Sequence, residues 1–290
     1  MKILLFFIDG FGIGPNNREI NPILAARTPT FDKLFSEEES ILIPTDASQG
    51  IEGIPQSATG QTAILTGEQA SQAMGRHMSG FPGPTLRKIL AEKNILRQMK
   101  LKGKKATFAN AYTKDYVNKV YQGNYKGSVT TVSVHTADLP FRLTEEIAQG
   151  KAVYQEFTNR ILIEQGLNVP EMEPEEAGSN LAAIVAEHDF TLYEYFQTDI
   201  YGHSQDKSIA IPLIENLDRF TGQLLKDLDL EETLVLITSD HGNIEDLSVK
   251  THTCNPVPTI LIGKGKEEIA DKIKELAHIT PALLELIDQN

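Results

Sequence analysis

The sequence predicts a doubly wound α/β fold, a mostly parallel sheet covered by helices on both faces, with a small inserted cap. Three observations carry this. Strand-length apolar runs alternate with amphipathic stretches along most of the 290 residues. Several runs are apolar at every position, as expected of strands buried on both faces. Acidic residues stand where such runs end, and in open α/β sheets ligands bind beyond the carboxyl ends of the strands.

In chain order, residues 2–8 (KILLFFI) are the first continuous apolar run and predict a central strand. Thr28 followed by Pro29 reads as an N-cap and first-turn proline, opening a helix to about Phe35. The run Glu37-Glu38-Glu39 then reads as a solvated helix end, and residues 41–45 as a short strand. Residues 85–100 predict a helix closed by Gly103, and 105–111 a further strand. Between about Thr113 and His188 the strand–helix rhythm is lost. There, 129–134 (VTTVSV) reads as a strand and 151–165 as a helix ending at Gly166. Residues 189–197 restore the rhythm as a strand. Leu213, Leu217, Phe220, Leu224 and Leu228 lie on one face of a long helix. Residues 233–238 and 257–262 are two more strands, and two amphipathic helices follow. The expected division is a core of 1–112 and 189–290 with a cap of 113–188.

Composition bounds the partners. A net charge of −13 excludes nucleic acid or an anionic membrane as the main partner. No apolar run is long enough to span a bilayer. The lone Cys254 fits a reducing compartment, and the first apolar run leads into Asp9-Gly10 rather than a small-residue cleavage site, so a cytoplasmic protein is expected. An acidic chain handling an anionic substrate needs local positive charge, which divalent cations supply.

The candidate chemistry lies at strand ends. Asp9 follows the run 2–8, Asp199 the run 189–197 and Asp240 the run 233–238, with His203, His241 and His252 accompanying them. Three carboxylates facing one crevice repel unless cations lie between them. Aspartate with histidine suits Mn²⁺, Zn²⁺ or Fe²⁺ better than Ca²⁺ or Mg²⁺. In the segment 54–67 (IPQSATGQTAILTG), Ser57 and Thr59 are hydroxyls beside a helix N-terminus, placed to attack phosphorus or merely to cap. Arg76, His77, Thr59 and Gln61 are candidate substrate contacts. Arg142 and Arg160, the only arginines of the inserted block, are possible clamps that more simply read as surface groups.

Four segments together resemble the cofactor-independent phosphoglycerate mutases of the alkaline phosphatase superfamily, and more distantly the phosphopentomutases. They are IDGFG (8–12) with NPILAARTPTFDKL (21–34), SATGQTAILTG (57–67), TDIYGH (198–203), and SDHGNIE (239–245) with THTCNPVP (251–258). The resemblance implies an alkaline phosphatase-like core and two metal sites, with Mn or Zn the expected ions. Asp9, Asp240 and His241 hold one, touched by Ser57; Asp199, His203 and His252 hold the other. It also implies Ser57, rather than Thr59, as the nucleophile. Two departures stand out: Gln61 replaces the histidine of the mutases, and the insertion lacks their arginine cluster. The expected function is metal-dependent transfer of phosphoryl from a small phosphorylated metabolite through a phosphoserine, as a phosphomonoester hydrolase. A phosphomutase and a non-catalytic metal-binding regulator are the alternatives.

Overall fold

The computed structural model describes residues 1–36 and 39–289; Glu37 and Glu38 of the acidic run lie outside them. Among the described residues the strands are β1 (Lys2–Ile8), β2 (Ser40–Thr45), β3 (Ala106–Phe108), β4 (Ala111–Tyr112), β5 (Arg142–Leu143), β6 (Phe190–Tyr195), β7 (Thr233–Thr238) and β8 (Val257–Gly263). Six of them form one sheet in the order β2-β8-β7-β1-β6-β3, while β4 and β5 pair separately. β3, β6, β1 and β7 run parallel, and β8 runs antiparallel to both of its neighbours, so the sheet is mostly parallel, as the sequence predicts.

The continuous apolar runs follow from this position. Along β1, Ile3, Leu5 and Phe7 face one apolar cluster while Leu4, Phe6 and Ile8 face the other. β7 divides likewise, Leu234 and Leu236 against Val235 and Ile237. With both faces covered, the inner positions of both strands are apolar, and Lys2, Thr233 and Thr238 stand only at the strand ends. On one face lie the helices Ser57–Thr66, Pro84–Lys93 and Ile279–Gln289; on the other lie Pro29–Phe35, Pro174–Ala186 and Lys207–Asp227. No helix among the described residues is long and apolar enough to cross a membrane.

Four local expectations are corrected. Residues 129–134 belong to a helix, Val129–Thr136, although their β-branched residues favour strand. Ser128 caps it by accepting from the Thr131 amide, and burial on all sides against the neighbouring helices overrides propensity. The stretch 85–100 is two helices, Pro84–Lys93 and Ile95–Leu101. Asn94 breaks it: its amide donates to Leu90 O while its Oδ1 accepts from the Arg97 amide, ending one helix and starting the next. Residues 151–165 are helical only over Arg160–Glu164, because Asn159 adopts φ 65° and the Glu156 carboxylate accepts from the amides of Thr158 and Ile161. The strand 105–111 is cut short at Phe108. Beyond it, Asn110 replaces backbone pairing with its side chain, donating to Glu194 O at 2.7 Å and accepting from Glu194 N at 2.9 Å.

The block 113–188 does not stand apart as one unit. Its Pro174–Ala186 helix packs along the Lys207–Asp227 helix and on β1, and a Cβ at Gly178 would lie 2.5 Å from Phe220 O. Val129–Thr136 lies against the helices of the opposite layer. Both helices are therefore built into the core layers, and the remainder of the block, with Lys114–Tyr121, β5 and residues 150–172, borders the carboxyl end of the sheet.

Candidate metal centre and active site

β1, β6 and β7 are neighbours, so the residues after their carboxyl ends meet. Asp9 leaves β1, Asp199 lies in the short Gln197–Gly202 helix after β6, and Asp240 follows β7. Two close approaches make this possible. Gly10 turns at φ 69° with Asp199 Cα only 2.9 Å from where a Cβ would stand. Gly60, in the buried Ser57–Thr66 helix, brings that helix against Asp240, whose carbonyl oxygen would lie 2.7 Å from an added Cβ.

The acidic and imidazole groups form two clusters that share His241. One comprises Asp9, Asp240 and His241, the other Asp199, His241 and His252. His241 Nε2 lies 3.3 Å from Asp9 Oδ1 and 3.5 Å from Asp240 Oδ2. His252 Nε2 lies 3.3 Å and His203 Nε2 3.5 Å from Asp199 Oδ1, so His203 borders the second cluster. The His241 and His252 rings stack at 3.6 Å. The Nδ1 atoms of His203 and His252 meet the carbonyls of Lys250 and Pro55 at 2.9 and 3.0 Å. A carbonyl only accepts, so each Nδ1 carries the proton and each Nε2 turns a lone pair inward.

This arrangement is electrostatically incomplete without a cation. Asp9 Oδ1 is buried and meets no hydrogen-bond donor. Burial, then the charges of Asp240, Asp199 and Glu194, push the Asp9 carboxyl well above its usual range. The His203 and His252 Nε2 atoms stand 3.2 Å apart, lone pair toward lone pair, which is favourable only with a proton or cation between them. Burial pushes His241 down. Burial would also raise Asp199, but a proton on His252 Nε2, taking the place between the nitrogens and donating to Asp199, and the His241 charge hold it at about 2. Buried carboxylates and inward imidazole nitrogens are a donor set that fits divalent metal.

Ser57 opens the helix at this centre, its Oγ 3.0 Å from His241 Nε2. Gln61, one turn on, donates to Asp9 Oδ2 at 2.9 Å and to Asp240 Oδ2 at 3.2 Å, taking up part of the carboxylate repulsion. Thr59 is turned away: its hydroxyl donates to Gln56 O and accepts from the Met78 amide. Neither Arg76 nor His77 reaches the centre. Arg76 is exposed beside the Met78 sulfur, and His77 is held by Ser71 Oγ and Ile51 O. Arg142 lies against Thr107 and the Lys151 carbonyl, and Arg160 pairs with Glu171 at the surface.

The structure adds residues not singled out from the sequence. Asn243 donates to Asp199 Oδ1 at 2.7 Å. The fully buried Glu245 joins three loops, accepting from the amides of Gly12 and Asn243, the Thr253 hydroxyl and the Asn255 side chain. Glu194, 5% exposed, accepts from Thr130 Oγ1 at 2.6 Å, and burial pushes it up to about 7. A lone charge in the apolar run FTLYEY was the available signal for Glu194. Beside Ser57, Asp9 and Asp199 a cavity of about 520 Å³ opens, bounded further by Glu194, Asn110 and several aromatic residues.

A family model described as the metalloenzyme superfamily matches residues 1–290. The 2,3-bisphosphoglycerate-independent phosphoglycerate mutase of Desulforudis audaxviator is 30% identical over 124 residues, 41% of this chain and 24% of that protein. Its counterpart from Dinoroseobacter shibae is 33% identical over 126 residues, 41% and 25% of the two chains. The match thus spans about a quarter of the length of these relatives. In fold, the chain is similar to the PH0037 protein from Pyrococcus horikoshii, with TM-score 0.64, 20% identity and coverage of 100% and 97%. It is also similar to the alkaline phosphatase of the Antarctic bacterium TAB5, with TM-score 0.53, 16% identity and coverage of 100% and 98%. The phosphoglycerate mutase of Leishmania mexicana has TM-score 0.53, 12% identity and coverage of 98% and 95%.

Proposed function

The chain belongs to the metalloenzyme superfamily, and on that premise we propose that it transfers phosphoryl groups from small phosphomonoesters through a phosphoserine at Ser57, with hydrolysis as the net reaction. The observation that carries this is the position of Ser57 Oγ, 3.0 Å from His241 Nε2 on the first turn of a buried helix. In this reading Asp9, Asp240 and His241 would hold one divalent ion, Mn²⁺ or Zn²⁺, and Asp199, His203 and His252 a second. Such ions, when bound, supply charge that lowers the pKa of a neighbouring hydroxyl and offsets the phosphoryl oxygens.

The remaining work falls to the chain. The Ser57–Thr66 helix presents Ser57 at its N-terminus, the positive end of the helix dipole, which favours an anion. Ser57 Oγ forms a bond to phosphorus as the bond to the substrate oxygen breaks, and water then cleaves the phosphoserine. Gln61 holds Asp9 and Asp240 in place. Residues of the 113–188 block, among them Tyr116 and Tyr154, wall the cavity and would set the substrate.

A mutase is the second reading, favoured by the named activity of the matched relatives. It differs only in returning the phosphoryl group to another hydroxyl of the same molecule. Incubation of the Mn²⁺- or Zn²⁺-loaded protein with phosphomonoesters separates the two, since a hydrolase releases inorganic phosphate and a mutase does not. Ser57→Ala tests the intermediate. Turnover should fall by roughly three orders of magnitude or more while metal content holds. Acid quench of the wild type should leave phosphate on the peptide 54–67. An active Ser57→Ala protein with no phosphopeptide would refute the covalent route.

A further inference from the structure

We propose that the organic part of the substrate is an uncharged, ring-bearing group of aryl or nucleoside size, not a second anion. This rests on the phosphoryl-transfer reading and names its substrate class.

The cavity that opens from Ser57 has a volume of about 520 Å³, within the usual range for a small-molecule site. Five aromatic residues stand in its walls away from the centre, Tyr112, Tyr116, Tyr154, Phe81 and Phe196, among small and uncharged polar side chains. Tyr112 and Tyr116 stack at 5.3 Å and 9°. Their hydroxyls are already engaged with Thr131 Oγ1, at 3.0 and 3.4 Å. What they offer a ligand is therefore ring carbon, suited to stacking or edge contact.

Charge points the same way. Among the described residues lining the cavity, Lys126 is the one basic side chain, and it lies on an exposed loop. A carboxylate or second phosphate on the substrate would meet no guanidinium. It would instead face Glu194, a buried carboxyl on the wall. Sites that recognise a second anion place arginine or lysine to meet it. A neutral ring N–H or O–H, by contrast, can donate to Glu194.

The test compares two probes that share a phosphonate head and cannot be hydrolysed. Phenylphosphonate and phosphonoacetate are titrated calorimetrically into the Mn²⁺-loaded protein. Phenylphosphonate should bind at least about tenfold more tightly. Equal affinity, the reverse order, or no binding of either probe overturns the inference. Two variants place the preference in this cavity. Tyr116→Leu removes ring surface and should weaken phenylphosphonate alone. Phe81→Arg, at a rim position 52% exposed, supplies the missing cation and should improve phosphonoacetate. An unchanged ratio in both variants also overturns it. Phosphate release from phenyl phosphate is followed separately. Its absence would sink the hydrolysis reading, while the binding order would still decide the substrate class.

Discussion

At the scale of single residues, two buried carboxylates illustrate opposite solutions. Glu245 is fully buried and accepts four hydrogen bonds from three loops, so its charge is matched. Glu245→Gln turns one of those oxygens into a donor facing donors. It should cost about 2–4 kcal/mol of stability and weaken metal binding, read by denaturant unfolding and metal titration. An unaffected variant would show that the loops hold together without it. Glu194 is buried with less compensation, and burial pushes it from 4.5 to about 7. A raised carboxyl favours the protonated folded state, so stability falls as pH rises from about 4.5 to about 7. The loss approaches roughly 3 kcal/mol. In chelated protein, Glu194→Gln should therefore gain on the wild type by about that amount between pH 4.5 and 8. Parallel stability curves would contradict this account. Asp9 is also raised, by burial first and by the Glu194 charge among its lesser causes, so removing that charge relieves Asp9 as well and acts in the same direction.

At the scale of elements, the Ser57–Thr66 helix decides where Ser57, the proposed nucleophile, stands. Its residues from Ala58 to Thr66 are buried, and its inner hydroxyls bond back along the helix, Thr62 to Ala58 O and Thr66 to Thr62 O. It closes at Gly67 with φ 75°. Gly60 is the contact that sets the distance to Asp240. Gly60→Ala raises helix propensity by about 1 kcal/mol, yet its Cβ would meet backbone and Cβ atoms of Asp240 below 3.0 Å. The steric term should win, with a net loss of about 1–3 kcal/mol and a drop in turnover as Ser57 is displaced. A variant of unchanged stability and activity would show that the helix can shift without cost.

At the scale of the whole molecule, the sheet order gathers residues 9, 199 and 240 from across the chain, and the helical layers hold that sheet. The Pro174–Ala186 helix is part of one layer, packed on the Lys207–Asp227 helix and on β1. Deleting 115–187 and bridging the ends should therefore expose the faces of β1 and of that long helix and leave an unfolded or aggregating chain. Deleting only 144–150, a 3₁₀ turn ending at Gly150, removes the buried Ile147 but no helix of either layer, and should lower stability while preserving the cooperative transition. A folded, metal-binding 115–187 deletion would show instead that the block is a dispensable cap.

The sequence by itself determined the sheet strands, their continuous apolar character and the order of acidic and histidine residues at their ends. These are encoded locally, in side-chain period and in motifs a few residues long. Residues 129–134 were not legible, because their β propensity points to strand and only packing among neighbouring helices makes them helical. The role of the 174–186 helix was hidden in the same way, since an amphipathic helix does not state which surface it covers. Only the tertiary structure decided that Asn110 pairs with the backbone of Glu194, that Glu245 ties three loops, and that tyrosines rather than arginines wall the cavity. Each of these depends on contacts between segments tens to hundreds of residues apart, where burial and partner, not residue type, fix what a side chain does.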